Sequence, residues 1–196
     1  MADRQCTMEV MEIGRIYMEL NSHDIFSEIK IIDNFAMFDE RGRFIKIYNA
    51  NEFDKLGINF STRETYYSVS NKDVIRGMHF QAPPYEHDKI VHVLKGEIID
   101  VIVDIRKGSP NYKKCISIHL SATKPKSIYI PIGFAHGFKC LENDTIMLYN
   151  VSSVYNRDCD AGILWNSIDY DWNISNPIVN SRDSSFCGLD EFESPF

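Results

Sequence analysis

The chain has 196 residues with a formal net charge of −7, and 44% of its residues are hydrophobic. This length predicts one domain that can bury a core, and a negative chain without a basic block argues against nucleic acid as the main partner. Because no stretch approaches the roughly 20 apolar residues of a membrane span, and no signal-peptide segment opens the chain, we expect a cytoplasmic protein without membrane contact.

Residues 1–25 show mixed helical periodicity and no strand alternation, which predicts an N-terminal appendage before a domain at 26–196. Short apolar alternations separated by turns then predict strands at 28–32, 44–48, 89–94, 97–105, 115–120, 127–130 and 146–151. Helix is suggested near residues 50–53 and in parts of the two ends. Many short strands with regular turns predict an all-β sandwich, jelly roll or barrel, and periodicity does not choose among these.

The six histidines differ in their surroundings. Strand alternation places His92 on the face opposite Lys89, and it gives His119 the polar face of its strand. His79 instead stands in the run RGMHFQ at 76–81, and His136 stands in PIGFAHGF at 131–138. Surface or packed positions are therefore expected for the remaining four: His23, His87, His92 and His119.

The PxGxxH pattern around His136 matches the second motif of cupin jelly rolls. A metal-binding cupin also needs two histidines one residue apart and a later glutamate, but the chain contains no HxH. The five cysteines are scattered without CxxC spacing, which favours reduced thiols over disulfides or a zinc site. We therefore expect no metal.

Several motifs follow one another along the chain: DERG at 39–42, RGMHFQ at 76–81, KIV at 89–91, GEIIDV at 96–101, VDIRKGSP at 103–110 and PIGFAHGF at 131–138. In this order they resemble the dTDP-4-dehydrorhamnose 3,5-epimerase family over about residues 28–185. The resemblance implies a cupin-type jelly roll with short peripheral helices and a C-terminal loop or helical segment. It also implies a homodimer and no metal or organic cofactor.

The resemblance further implies an isomerase that inverts C3 and C5 of a nucleotide-diphospho-4-keto-6-deoxy sugar, of the dTDP-linked type. Such an enzyme serves deoxysugar and surface polysaccharide biosynthesis, including the O-antigen of lipopolysaccharide. The family's catalytic base matches His79, its partner matches Asp183, and its catalytic tyrosine matches Tyr149. Only the aspartate is identical in the segment at 180–183, so this match is looser.

The chemistry suits these residue types. A hydrogen beside a ketone is removed by a base of near-neutral pKa, and a carboxylate on the other imidazole nitrogen orients that base. Inversion then needs an acid on the opposite face, the role expected of Tyr149. Lys89 supplies a positive charge near the C4 oxygen, and arginines match a diphosphate. The expected substrate-binding residues are Arg41, Phe44, Ser68, Arg76, Gln81, Lys89, His136 and Tyr155.

The chain departs from the family pattern where substrate is recognised. Glu64 and Tyr66 replace the two amides of a Gln-x-Asn-x-Ser segment, Lys46 replaces a glutamate, and Ser167 replaces the aspartate of Trp-Asn-Asp. One interpretation retains the reaction but changes the substrate to a CDP- or GDP-linked sugar, hexose or heptose. The sequence also leaves open a C3-only epimerase or ketoisomerase, a non-catalytic sugar-nucleotide-binding cupin, and a metal-dependent cupin enzyme.

Overall fold

The computed structural model describes residues 14–16, by their backbone alone, and residues 18–196. The strands in this part of the chain are β1 (Gly14–Ile16), β2 (Glu19–Ser22), β3 (Lys30–Asp33), β4 (Phe35–Asp39), β5 (Gly42–Lys46), β6 (Glu64–Ser70), β7 (Ile75–Gln81), β8 (Lys89–Lys95), β9 (Glu97–Asp104), β10 (Cys115–Ser121), β11 (Lys126–Ile130), β12 (Phe134–Cys140), β13 (Thr145–Val151) and β14 (Asp160–Gly162). One α-helix, α1 (Ala50–Lys55), and one 3-10 helix (Asp183–Ser185) complete the described elements. None of the described helices has the length and apolar character needed to cross a membrane.

Two large antiparallel sheets form a β-sandwich. One sheet has the order β10-β9-β12-β7-β14, and the other has the order β2-β3-β11-β8-β13-β6. A smaller sheet of β1, β4 and β5 accompanies them. The prediction of an all-β protein of the jelly-roll type is confirmed, with α1 as a short peripheral helix.

The main core fills the space between the two large sheets. Strand alternation turns one apolar face of each sheet inward, and burial of each such side chain stabilises the fold by about 1.5–3 kcal/mol. The six-stranded sheet contributes Val91, Val93, Ile128, Ile130 and Met147, and the five-stranded sheet contributes Ile98, Ile102, Ile116, Phe134 and Phe138. A second cluster covers the other face of the five-stranded sheet with residues from 163–196, including Ile163, Trp172 and Leu189.

The N-terminal segment differs from the sequence prediction. Residues 14–16 and 19–22 are strands that pair with β4 and β3, although the sequence of residues 1–25 shows mixed helical periodicity and no strand alternation. The sequence of β2 has no apolar alternation because the strand lies at a sheet edge with mostly exposed side chains. Residues 1–13 and 17 lie outside the described residues, and the boundary at residue 25 stays a prediction.

A close approach of two glycines shapes the pairing of β7 with β12. His79 is the partner of His136 and Arg76 is the partner of Phe138, so β7 has one residue more than β12 between these pairs. A Cβ atom on Gly77 would lie 2.5 Å from the Cα of Gly137, which only glycine avoids. This bulge brings Arg76 and His79 to the same side of the sheet, whereas regular alternation places residues three apart on opposite sides.

Candidate active site

Two adjoining pockets open between the large sheets, beside the edge strand β6 and the strand β7. They have volumes of about 290 and 180 Å³. His79 and Tyr66 line both pockets. The smaller pocket is completed by Ser68, Arg76, His136, Phe138 and Tyr149, and the larger by Glu64, Phe80, Gln81, His87, Val151, Tyr155, Asp160 and Arg182.

His79 and Asp183 form a hydrogen-bonded pair at the junction of these pockets. Nε2 of His79 lies 2.8 Å from Oδ1 of Asp183, and the backbone N–H of Gly77 donates to Oδ2 at 3.2 Å. Asp183 begins the 3-10 helix, and its own N–H donates to the side chain of Asn180 at 2.7 Å. The carboxylate is therefore fixed from both sides and is fully buried, while the imidazole side chain is 28% exposed toward the pockets.

The pair is poised as a neutral base beside an ionised carboxylate. Burial raises the pKa of Asp183, but the hydrogen bond and charge of His79, the Gly77 N–H and the charge of Arg182 outweigh it and hold that pKa below its usual value. Burial lowers the pKa of His79, against the opposing effect of Asp183. An imidazole of lowered pKa is unprotonated near neutral pH and accepts a proton.

Tyr149 faces the smaller pocket from β13. It is 7% exposed, and burial raises the pKa of its phenol above the usual value. Its hydroxyl lies 3.5 Å from Oγ of Ser68, and its ring lies edge-on to His136 with centroids 6.4 Å apart. A phenol that keeps its proton and a neutral imidazole in one pocket have the chemistry of a general acid and a general base.

Lys89 lies on the inner face of β8 with Val91 and Val93, and its Nζ donates to the carbonyl of His79 at 3.0 Å. Burial lowers the pKa of its ammonium to about 8. His92 lies on the outer face, where its Nδ1 contacts the amide of Asn34 at 2.9 Å. Alternation along the strand predicts this difference in face.

A second buried pair joins His136 to Asp100, with 2.8 Å between Nε2 and Oδ2. Within the part of the chain that the structure describes, Oδ1 of Asp100 has no hydrogen-bond partner. Sequence reasoning does not single out Asp100, although an aspartate on the buried face of the apolar strand β9 is a usable signal. In residues 14–16 and 18–196, no three His, Cys, Asp or Glu side chains group as metal ligands.

Three further expected substrate-binding residues already contact protein groups. The guanidinium of Arg76 donates to Oγ of Ser70 at 2.9 Å and to the carbonyl of Val69 at 3.3 Å. The amide of Gln81 joins two loops, since it donates to the carbonyls of Tyr85 and Val154 and accepts from the N–H of Asn156. Tyr155 is 59% exposed, and its hydroxyl donates to Asp160 at 3.3 Å.

Arg41 and Phe44 are not brought to His79. They line a separate pocket of about 330 Å³ on the hairpin of β4 and β5. The side chain of Arg41 is 82% exposed and pairs with Asp39, and Phe44 is 59% exposed. Within one chain, neither residue lines the pockets around His79.

Several pocket residues are missed by sequence reasoning. A surface or packed position without a functional role is expected for His87, but it lines the larger pocket, where burial lowers its pKa to about 3. Arg182 pairs with Asp160 at 2.7 Å, and its other guanidinium nitrogen lies 3.9 Å from Oδ1 of Asp183. Glu64 and Tyr66 stand out in the sequence only as departures from the family pattern. Loop residues such as His87 carry no periodic signal, so only the fold reveals them.

An all-β jelly roll with a His–Asp pair and a buried tyrosine in one interior pocket defines a cupin-type protein equipped for acid–base chemistry. The model of the family described as dTDP-4-dehydrorhamnose 3,5-epimerase matches residues 25–191. The chain belongs to this family, and it is an isomerase of that class. The dTDP-4-dehydrorhamnose 3,5-epimerase of Shigella flexneri is 36% identical over 159 residues, which cover 80% of this chain and 88% of that relative.

Solved structures have the same fold. The dTDP-4-dehydrorhamnose 3,5-epimerase of Bacillus anthracis, with TDP and PPi bound, superposes with a TM-score of 0.84 at 34% identity and covers 88% of this chain and 99% of its own. The dTDP-6-deoxy-D-glucose-3,5-epimerase of Legionella pneumophila, in complex with dTDP-4-keto-L-rhamnose, superposes with a TM-score of 0.85 at 30% identity. It covers 90% of this chain and 95% of its own.

Proposed function

We propose that this chain inverts C3 and C5 of a dTDP-linked 4-keto-6-deoxy hexose by removing and returning protons. The observation that carries the proposal is the His79–Asp183 pair, with 2.8 Å between Nε2 and Oδ1, in a pocket that also contains Tyr149. The bound dTDP sugar of the Legionella relative and the TDP of the Bacillus relative support the choice of substrate.

In the proposed mechanism, Asp183 holds Nε2 of His79, which leaves Nδ1 to take the proton from the carbon beside the C4 ketone. The electron pair of the broken C–H bond moves into an enolate, with its negative charge on the C4 oxygen. The Lys89 ammonium stabilises that charge. The phenol of Tyr149 then returns a proton to the opposite face of the carbon, and solvent restores both groups to their starting protonation states.

A homodimer also belongs to the proposal, because Arg41 and Phe44 do not line the pockets around His79 in a single chain. A second copy that brings its hairpin to this site would let Arg41 bind the diphosphate in the bidentate way that suits guanidinium. The cytoplasmic location and the role in deoxysugar and surface polysaccharide biosynthesis follow from the proposed substrate.

The test is nuclear magnetic resonance of the product formed from the dTDP-, CDP- and GDP-linked 4-keto sugars. We expect inversion at both carbons, fastest with the dTDP-linked hexose. Preference for a CDP- or GDP-linked sugar would favour the changed substrate that Glu64 and Tyr66 suggest, because these side chains replace the family's amides in the pocket. Absence of turnover with every sugar would refute the epimerase.

A further inference from the structure

Tyr66 stacks on the expected catalytic acid. The two residues are direct partners across β6 and β13, so their side chains leave the sheet side by side. The ring centroids of Tyr66 and Tyr149 are 4.7 Å apart, and the ring planes differ by 18°. Tyr66 is 41% exposed and covers a ring that is itself only 7% exposed. Tyr66 therefore forms the pocket-side cover of Tyr149.

Core packing buries the ring of Tyr149, but its hydroxyl is held weakly. Among the described residues, its hydroxyl makes one side-chain hydrogen bond, to Oγ of Ser68 at 3.5 Å, which is long for a hydrogen bond between hydroxyl groups. On another side, the ring meets His136 edge-on at 6.4 Å. An amide at position 66 provides no aromatic plane for the phenol to lie against. The orientation of Tyr149 therefore depends on core packing and on its two aromatic neighbours, of which Tyr66 is the closer and the only stacked one among the described residues.

We propose that Tyr66 is a positioning residue that holds the ring of Tyr149, so that its hydroxyl delivers the proton to the face of the sugar opposite His79. This inference rests on the proposed epimerase function. It assigns a role to a side chain that departs from the Gln-x-Asn-x-Ser pattern. It also explains how a bulky ring is accommodated here, since Tyr66 lines both pockets and packs against Tyr149 without filling the space between Tyr149 and His79.

Loss of a residue that only positions Tyr149 slows proton return but not proton removal by His79. A general loss of structure would slow both steps. His79 removes the proton whether or not Tyr149 is in place. When proton return from Tyr149 is slow, the protonated imidazole exchanges with solvent and returns a deuteron to the face it came from. In D₂O, a misplaced Tyr149 therefore gives labelled starting sugar, while a well-placed Tyr149 gives labelled, inverted product.

The experiment measures the ratio of deuterium in recovered starting sugar to deuterium in inverted product, with dTDP-4-keto-6-deoxyglucose in D₂O. Tyr66→Asn and Tyr66→Leu both remove the aromatic ring. Both are made so that the test still stands if one of them fails to fold. We expect each to raise the ratio about tenfold, part of the ~10²–10⁴-fold that a general acid contributes. The kcat for inversion falls more than KM rises.

Two controls define the role. Tyr66→Phe keeps the aromatic ring, and we expect its deuterium ratio to equal that of the unmodified protein. Tyr67→Asn changes the neighbouring residue of β6, which is 65% exposed and lies on the other face of the strand, and it leaves the ratio unchanged. An unaltered ratio in both Tyr66→Asn and Tyr66→Leu overturns the inference.

Loss of inversion in Tyr66→Phe also overturns it, because the Tyr66 hydroxyl would then be the acid. Failure of the proposed function has a different signature, since the unmodified protein would then incorporate no deuterium at either carbon.

Discussion

The imidazole Nε2 of His79 lies 2.8 Å from Oδ1 of Asp183, although 104 positions separate the two residues in the chain. The carboxylate is completely buried, and the Gly77 N–H on the same strand as His79 binds its second oxygen. Asp183 thus links the C-terminal segment to strand β7 at His79, the proposed catalytic base. The C-terminal segment contributes a proposed catalytic group in addition to covering the sheet.

Asp183→Asn is expected to lower kcat by about 10²–10⁴-fold with a small effect on KM, because the amide no longer stabilises the imidazolium that forms during proton removal. Asn retains the size of the side chain, so the fold should persist. Steady-state kinetics measure the effect, and Asp190→Asn is the matched control on an exposed carboxylate of the same segment. A kcat within threefold of the unmodified protein would exclude Asp183 as the orienting group.

The pH dependence of activity is expected to follow the pKa values of His79 and Lys89. Lowering of the His79 pKa by burial keeps the base unprotonated, so the acid limb of kcat/KM should lie below pH 6.5. The pKa of Lys89 is about 8, so its stabilising charge is present below that pH and is lost above it. We expect activity to fall above about pH 8. In Lys89→Met, residual deuterium exchange should lack this alkaline limb, and an unchanged limb would assign it to another group.

Gly137→Ala tests the close approach that aligns His79 with His136. The added Cβ would lie 2.8 Å from the Arg76 carbonyl oxygen and 2.9 Å from the Cα of Gly77, so the strands must separate. We expect a loss of about 1–3 kcal/mol in the free energy of unfolding, measured by urea titration. Gly108→Ala is the control, because nothing lies within 4 Å of its Cβ position. Equal stability of the two variants would contradict the packing account.

Arg41→Ala tests the proposed dimer by complementation. If Arg41 acts on the partner's pocket, a mixture of Arg41→Ala and His79→Asn chains that exchange subunits forms mixed dimers with one intact site each. Random pairing makes half of the dimers mixed, so activity should recover to about one quarter of the unmodified level. If each variant alone is impaired and their mixture recovers no activity, Arg41 and His79 act in the site of the same subunit. A monomer in light scattering would exclude the dimer.

Strand alternation is sufficient to predict most central strands and the inner face of Lys89, because β8 lies between two neighbouring strands and alternates regularly from Lys89 to Val93. It cannot predict that Arg76 and His79 share a face, since that depends on an extra residue in β7. The bond between His79 and Asp183 requires the whole fold, and only the resemblance indicates it. The stack of Tyr66 on Tyr149 depends on the register of β6 with β13, which no local pattern specifies.

His79 is the proposed base that removes protons from the carbons beside a C4 ketone. The most direct test of this role is deuterium incorporation from D₂O into dTDP-4-keto-6-deoxyglucose, resolved at C3 and C5 by nuclear magnetic resonance. We expect the unmodified protein to label both carbons, and His79→Asn to label neither while still binding dTDP. Exchange at C3 alone would exclude the double epimerisation, and full labelling by His79→Asn would contradict the assignment of the base.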